Sequence, residues 1–437
     1  MESQIFENNK ATGRVGVSMS SADEATNQDQ ADMARLGKDQ QFKASSSCST
    51  LQTIFILFHG TISQRRNFRF LSTLGFTCTL MATWESILLT STLGLSNGGL
   101  AGSVYIYIGS FIGFFTSVAS MAEMASISPT SGGQYHWASE FGGRSYQKFL
   151  SYATAGWPTL GLACLVGQIS PIFSFLGPDA ATHIAEEIKD ASKVVPWCMI
   201  STALINGSLG FIMLITYLFT MGDLHEVIKA ESGFSFITAF LNATGSKAAT
   251  TSLGSLLVVM EACAAISVLA TVSRQTFAFA RDNALPFSQF FARVHPKSKV
   301  PVNSILASTV ITILLSLINI GSTEAFNAIA SLTIASLFMS YLVCIGCFIY
   351  RRLQWKEIPP ARFSLGACGL PVNIISFLYL SFAIVFTFFP NNNYPTAVSM
   401  NWSVLVFGFV VIFAGLQYLI HGRKIYDGPV AYVEKIE

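Results

Sequence analysis

From Leu71 onward the chain alternates long apolar runs with short polar breaks. The runs fall at about 71–95, 101–125, 149–176, 196–221, 252–273, 301–320, 326–350, 370–390 and 401–420. Each is ~20 to 28 residues long, and at 1.5 Å rise per residue such a helix spans the ~30 Å hydrocarbon core of a bilayer with some tilt. The runs lack the regular apolar/polar alternation of a β-barrel, and their Gly, Ser, Thr and Ala content suits close helix contact in lipid. The pattern predicts nine apolar segments in an all-α, polytopic transmembrane bundle.

Composition agrees with the pattern. Only 11% of residues are charged, against ~25% for an ordinary soluble domain, while 51% are hydrophobic and the mean hydropathy is +0.51. These values speak against a disordered chain, a nucleic-acid binder and a single soluble α/β enzyme. Residues 1–43 differ: they carry 12 charges and are rich in Asn, Gln, Ser and Asp, a composition that predicts disorder. No apolar h-region follows a basic start, so no cleavable signal peptide is expected. The stretch Leu51 to Phe58 is apolar but too short to cross. The expected organisation is a cytoplasmic tail with a short apolar insert over 1–66, a transmembrane domain over 67–421, and a cytoplasmic tail over 422–437. Eight scattered cysteines make no disulfide framework, and Cys344 and Cys347, though spaced C-x-x-C, lie in an uncharged run where small core residues are expected.

Basic residues orient the bundle. They precede the first run (Arg65, Arg66, Arg69), separate the second from the third (Arg144, Lys148), the fifth from the sixth (Arg274, Arg281, Arg293, Lys297, Lys299) and the seventh from the eighth (Arg351, Arg352, Lys356, Arg362), and follow the last (Arg423, Lys424). All should be cytoplasmic. The sequons Asn242-Ala243-Thr244 and Asn401-Trp402-Ser403 then fall on the other side. One conflict arises: three runs lie between the basic segments at 144–148 and 274–299, and three crossings do not return to the starting side. The run 149–176, broken by Gly156, Pro158, Gly161, Gly167 and Pro171, is the poorest single helix of the three, and is expected to enter and leave on one side. The segment Glu186 to Asp190 is then cytoplasmic too.

Two carboxylates stand near the middle of apolar runs: Glu85 in the first and Glu261 in the fifth. Placing a charge at that depth costs roughly 2.5–3.5 kcal/mol on insertion scales. Such a group can hold a cationic substrate or take up and release a proton, so both are candidates for proton coupling. The alternative is a neutral, hydrogen-bonded structural Glu. Glu123, at a run's end, is expected to cap or anchor a loop. Phe173-Ser174-Phe175-Leu176-Gly177-Pro178-Asp179 places aromatic rings beside a Gly-Pro break; an interrupted membrane helix offers free backbone groups to a ligand, and rings beside it can cover an ammonium. A plain helix end reads equally well. The chain carries no H-E-x-x-H, P-loop, G-x-S-x-G or paired C-x-x-C, and its six His are isolated in sequence, so neither enzymatic activity nor a cofactor or metal is expected.

Several segments together resemble one family. They are Thr83-Trp84-Glu85-Ser86 followed by Leu95-Ser96-Asn97-Gly98-Gly99; Ala122-Glu123-Met124-Ala125-Ser126 with Pro129-Thr130-Ser131-Gly132-Gly133-Gln134-Tyr135-His136-Trp137; Glu186-Glu187-Ile188-Lys189-Asp190-Ala191-Ser192; Ser273-Arg274-Gln275 with Phe279-Ala280-Arg281-Asp282; and Asn319-Ile320-Gly321-Ser322. The chain over roughly 67–437 resembles the fungal amino acid, choline and GABA permeases of the amino acid-polyamine-organocation superfamily. The resemblance implies a LeuT-like secondary carrier built on inverted repeats, binding substrate where the first and sixth helices unwind. It puts the first break at Thr83, Trp84, Glu85 and Ser86 and the second at Phe173, Ser174, Phe175 and Gly177. It also implies that the first repeat is incomplete: Phe149 to about Leu162 resembles the start of the third helix and Leu165 onward the sixth, so about three membrane helices of ~20 residues each are lacking. The stretch 44–64 interrupts the family's basic approach to the first helix.

The resulting expectation is a multi-pass plasma-membrane permease with both termini cytoplasmic, importing an amino acid or a small amine such as choline or GABA with protons as coupling ion. Membrane lipids are its surroundings, and no nucleic acid is involved. The other expectation is a non-transporting membrane protein, either a nutrient sensor or a truncated permease isoform.

Overall fold

The computed structural model describes residues 43–44, 65–66, 68–143, 149–151, 169–229, 234–295, 300–321, 323–354, 358–359, 361–388, 401–426 and 428. Among them the fold is helical apart from a two-residue parallel pairing of Lys43–Ala44 with Arg65–Arg66. Most of the expected tails and of the run 149–176 lies outside the described residues, as do Cys48 and Cys164; the other six cysteines are free thiols, with Cys344 and Cys347 buried in a helix.

Besides a few short helical turns, the helices are α1 (Phe70–Met81), α2 (Thr83–Ile127), α3 (Gln134–Phe141), α4 (Ile169–Phe175), α5 (Ala180–His183), α6 (Ala191–Thr220), α7 (Ser235–Thr244), α8 (Lys247–Arg281), α9 (Val302–Gly321), α10 (Thr323–Leu353), α11 (Gly369–Phe386) and α12 (Ser403–Gln417). Six helical stretches are long and apolar enough to cross a membrane: Gly99–Ile127, Ala191–Thr220, Lys247–Arg281, Ile329–Leu353, Gly366–Phe386 and Ser403–Ile420. The first predicted run is not among them, because it is cut at Ala82. α1 opens on a local cap in which Arg69 N–H donates to Ser72 Oγ at 2.8 Å. It closes on Ala82, whose φ of 40° and ψ of 44° are left-handed, a conformation costing a side-chain-bearing residue roughly 1–2 kcal/mol. Such a turn persists only where its surroundings hold it.

Tertiary contacts do hold it. α6 lies along α1 and donates to it: Asn206 Nδ2 bonds the Cys78 carbonyl at 3.0 Å, and Thr202 and Thr77 share a hydroxyl bond of 2.8 Å. α2 itself has two limbs joined at Gly99, where φ is 58° and ψ −161°, a pairing open to glycine. The second limb returns beside the first, and Tyr107 on it donates to the Gly207 carbonyl of α6 at 2.7 Å. Gly207 and Gly210 permit this approach: a Cβ at Gly210 would meet Tyr107 Oη at 2.6 Å, Thr83 Cγ2 at 2.7 Å and Ile87 Cδ1 at 2.8 Å.

The basic clusters converge on one end of the bundle. Arg281 forks onto Glu186 at 2.9 and 3.0 Å, Arg274 pairs with Glu187, Arg362 with Asp190 and Arg352 with Glu123. Glu123 Oε1 also accepts from Ser364 Oγ at 2.9 Å and from Leu365 N–H at 3.1 Å, so it anchors the loop before α11, as its position at a run's end predicts. The turn of the Pro-Thr-Ser-Gly-Gly motif joins the same end, Ser131 Oγ donating to Glu186 Oε1 at 2.6 Å. Burial, with the Asp282 carboxylate next in effect, pushes the Tyr135 phenol well above its ordinary range; it stays protonated and donates to Asp282 at 3.1 Å.

This arrangement resolves the parity conflict. Ser151 sits at the basic end, donating to the Tyr135 carbonyl and sharing a bond with Tyr426. Ser170, by contrast, meets Thr90 beyond the first break at 2.6 Å. α4 and α5 then lead back to Glu186 at the basic end, and α6 and α8 make the remaining excursion, past Asn242 and back.

Candidate functional site

The second break faces the first. α4 ends at Phe175; Gly177 takes a φ of 109°, Pro178 follows, and α5 starts at Ala180. At the first break the amides of Thr83, Trp84 and Glu85 open α2 and have no intrahelical carbonyl within reach. The two breaks are tied directly: Thr83 Oγ1 donates to the Ser174 carbonyl at 2.7 Å, consuming one acceptor freed by the end of α4. Gly177 is pressed against the end of α1, where a Cβ would run into Leu80 and lie 3.8 Å from Met81 Cα. α6 braces the assembly from behind through Asn206, Thr202 and Gly210.

Glu85 stands in the first turn of α2, 5% exposed, and its Oε2 has no hydrogen-bond partner. Burying a carboxylate oxygen unpaired is among the costlier things a fold can do. Glu261 on α8 likewise has an Oε1 without a partner, and its charge acts on Glu85. Both sequence-derived acids thus carry a buried oxygen without a hydrogen-bond partner. Ser86 is buried beside Glu85, its carbonyl accepting from Thr90 Oγ1 at 2.7 Å.

The remaining predicted residues divide. Phe175 is fully buried and forms the centre of an aromatic cluster, with ring centroids 5.0 Å from Tyr107, 5.6 Å from Phe111 and 6.1 Å from Phe114. Phe173 is partly buried against the same core. Trp84 points away from both, into a second cluster with Leu88, Leu95 and Tyr217. A small cleft opens one to three turns beyond the break, lined by Ile87, Ser91, Tyr107, Ser170, Leu214 and Tyr217 among others. Glu85 does not line it. Tyr107, Thr202 and Asn206 have no signature in the sequence; only their polarity inside apolar runs marked them. Among the described residues no cluster of His, Cys, Asp and Glu is arranged to hold a metal.

Paired helix breaks inside an apolar bundle, with the buried Glu85 beside them and Arg274, Arg281, Arg352 and Arg362 paired at one end, define a multi-pass integral membrane protein of the discontinuous-helix class. A family model for amino acid permeases matches residues 145–412, more than half of the chain, and the chain belongs to that family. An uncharacterized amino-acid permease of Schizosaccharomyces pombe is 30% identical over 292 residues, covering 66% of this chain and 52% of that protein. Amino-acid permease 2 of Neurospora crassa is 30% identical over 280 residues, 64% of this chain and 51% of its own. A choline transporter of Saccharomyces cerevisiae is 30% identical over 269 residues, 62% of this chain and 47% of its own. The chain thus spans about half the length of the curated relatives it matches.

Proposed function

We propose that this chain is a secondary carrier importing an amino acid or a small amine such as choline or GABA, driven by protons across the plasma membrane, with its basic end and both termini cytoplasmic. The observation that carries the reading is the unpartnered, buried oxygen of Glu85 beside two helix breaks joined by the Thr83–Ser174 bond. In this reading Glu85 receives the ammonium group, Glu261 tunes its charge, and Ser86 with the free amides of the first turn holds the substrate's polar end. Phe173 covers the site, while Phe175 fixes the second break through its aromatic neighbours. The family membership and the names of the relatives support the substrate class.

The test is radiolabelled choline, GABA and amino acid uptake in a permease-deficient yeast, comparing the wild type with Glu85→Gln at matched surface level. Loss of uptake in the variant is expected; undiminished uptake removes Glu85 from the mechanism. A second reading is a sensor or truncated isoform that does not transport, and a wild type without uptake of any of these compounds would select it.

A further inference from the structure

On the side of the second break away from Glu85, three polar side chains close around one another. Asp179, 3% exposed, immediately precedes α5, and His183, 4% exposed, ends it. His183 Nδ1 lies 3.0 Å from the Ser131 carbonyl oxygen, and its Nε2 lies 3.5 Å from Asp179 Oδ2. Gln134 Nε2 donates to that same Oδ2 at 2.7 Å.

A carbonyl oxygen only accepts, so Nδ1 carries a hydrogen. A neutral imidazole has one N–H, which would leave the Nε2 lone pair facing a carboxylate oxygen with little water to separate them. A second proton removes the repulsion and converts it into an ion pair. We propose that Asp179 and His183 form a proton-binding site at the second helix break, with one exchangeable proton on His183 Nε2 held against Asp179 Oδ2.

The surroundings leave this proton to the pair. From α10, Tyr341 and Cys344 lie within reach of the Asp179 carboxylate but bring no charge. From the turn before α3 and from α3 come Ser131 and Gln134, and α3's His136 stands 3.6 Å from Glu140. Glu186, just beyond α5, is held by Arg281, and Glu187 by Arg274 of α8. Glu123 of α2 is held by Arg352. α1 has no charged residue, and α6 has only Lys193, in its first turn. Release of the proton leaves one net negative charge beside Gly177 and Pro178, in the turn between α4 and α5.

The coupling role rests on the carrier reading; the proton itself does not, and two measurements separate them. The first is nitrogen-15 NMR of the full chain, histidine-labelled, in lipid bilayers. A histidine with both ring nitrogens protonated at neutral pH is expected, absent in His183→Gln and singly protonated in Asp179→Asn. A wild-type His183 protonated on one nitrogen overturns the proposal, and this needs no variant to fold. The second uses proteoliposomes loaded with choline or an amino acid. In His183→Gln, accumulation driven by a pH gradient should fall about tenfold or more, an ordinary coupling factor, while counterflow at equal pH persists. Undiminished gradient-driven accumulation overturns the coupling role. Absence of counterflow in the wild type overturns it together with the carrier reading, and leaves the NMR result to decide the proton site.

Discussion

Ala82 and Gly177 are the two residues whose backbone shapes define the site, and they are built on different principles. Ala82 adopts left-handed angles despite its Cβ and is held by Asn206 and Thr202, whereas Gly177 sits at a φ of 109° against Leu80. Gly177→Ala should therefore lower stability by roughly 1–3 kcal/mol, read as a lower thermal midpoint of the detergent-solubilised protein. An unchanged midpoint would mean that the break relaxes freely. Asn206→Leu should cost about 1 kcal/mol by removing one of the two bonds to the Cys78 carbonyl, which keeps only the 3.3 Å bond from Ala82 N–H, checked in the same scan. Glu85 was legible in the sequence because a charge in an apolar run declares itself. The break was legible only to within a residue, since Ala82 is an unremarkable alanine until α6 is packed against it. The pair Asp179 and His183 had the spacing of one helical turn, yet Gln134 and Ser131, which make it a site, arrive from 45 and 52 residues away.

At the scale of elements, the ion pairs between the segment after α5 and α8 decide where the second broken helix ends. Arg281 is partly exposed and Glu186 buried, so removing the cation leaves a buried carboxylate that keeps its bond from Ser131 but loses its countercharge. Arg281→Ala should destabilise by about 3 kcal/mol, and Glu186→Gln combined with Arg281→Ala by distinctly less, because the penalty lies in the unpaired charge. Denaturation of the purified single and double variants measures the difference, and equal losses would assign the pair no electrostatic role. Parity arithmetic on the basic clusters required one of three runs not to cross as a single helix, and the glycines and prolines of 149–176 pointed to that run. Which pairs close that end was not legible, since each joins segments about 80 residues apart or more.

For the whole molecule, the distribution of basic residues orients the bundle. Cys368, exposed in the turn before α11 near the Glu123 anchor, and Ala243, exposed near the far end of α8, lie on opposite sides. In intact cells an impermeant maleimide should label Ala243→Cys in a background without other cysteines, and should label a variant retaining only Cys368 after permeabilisation alone. The reverse pattern would invert the topology. Hydropathy made the helical class and the bundle's long helices readable, because a bilayer imposes length and apolarity on every crossing. The division of the first run depends on Asn206 and Thr202, and the return path of the second limb of α2 on Gly207 and Gly210, all of them far away in sequence. The Thr83–Ser174 bond adds a constraint of its own. One hydroxyl ties the loosened middles of two separate rods, so a tilt of either rod must either drag the other along or forfeit a bond worth about 1 kcal/mol. That toll is small enough for thermal motion to meet and large enough to make the two rods swing in company.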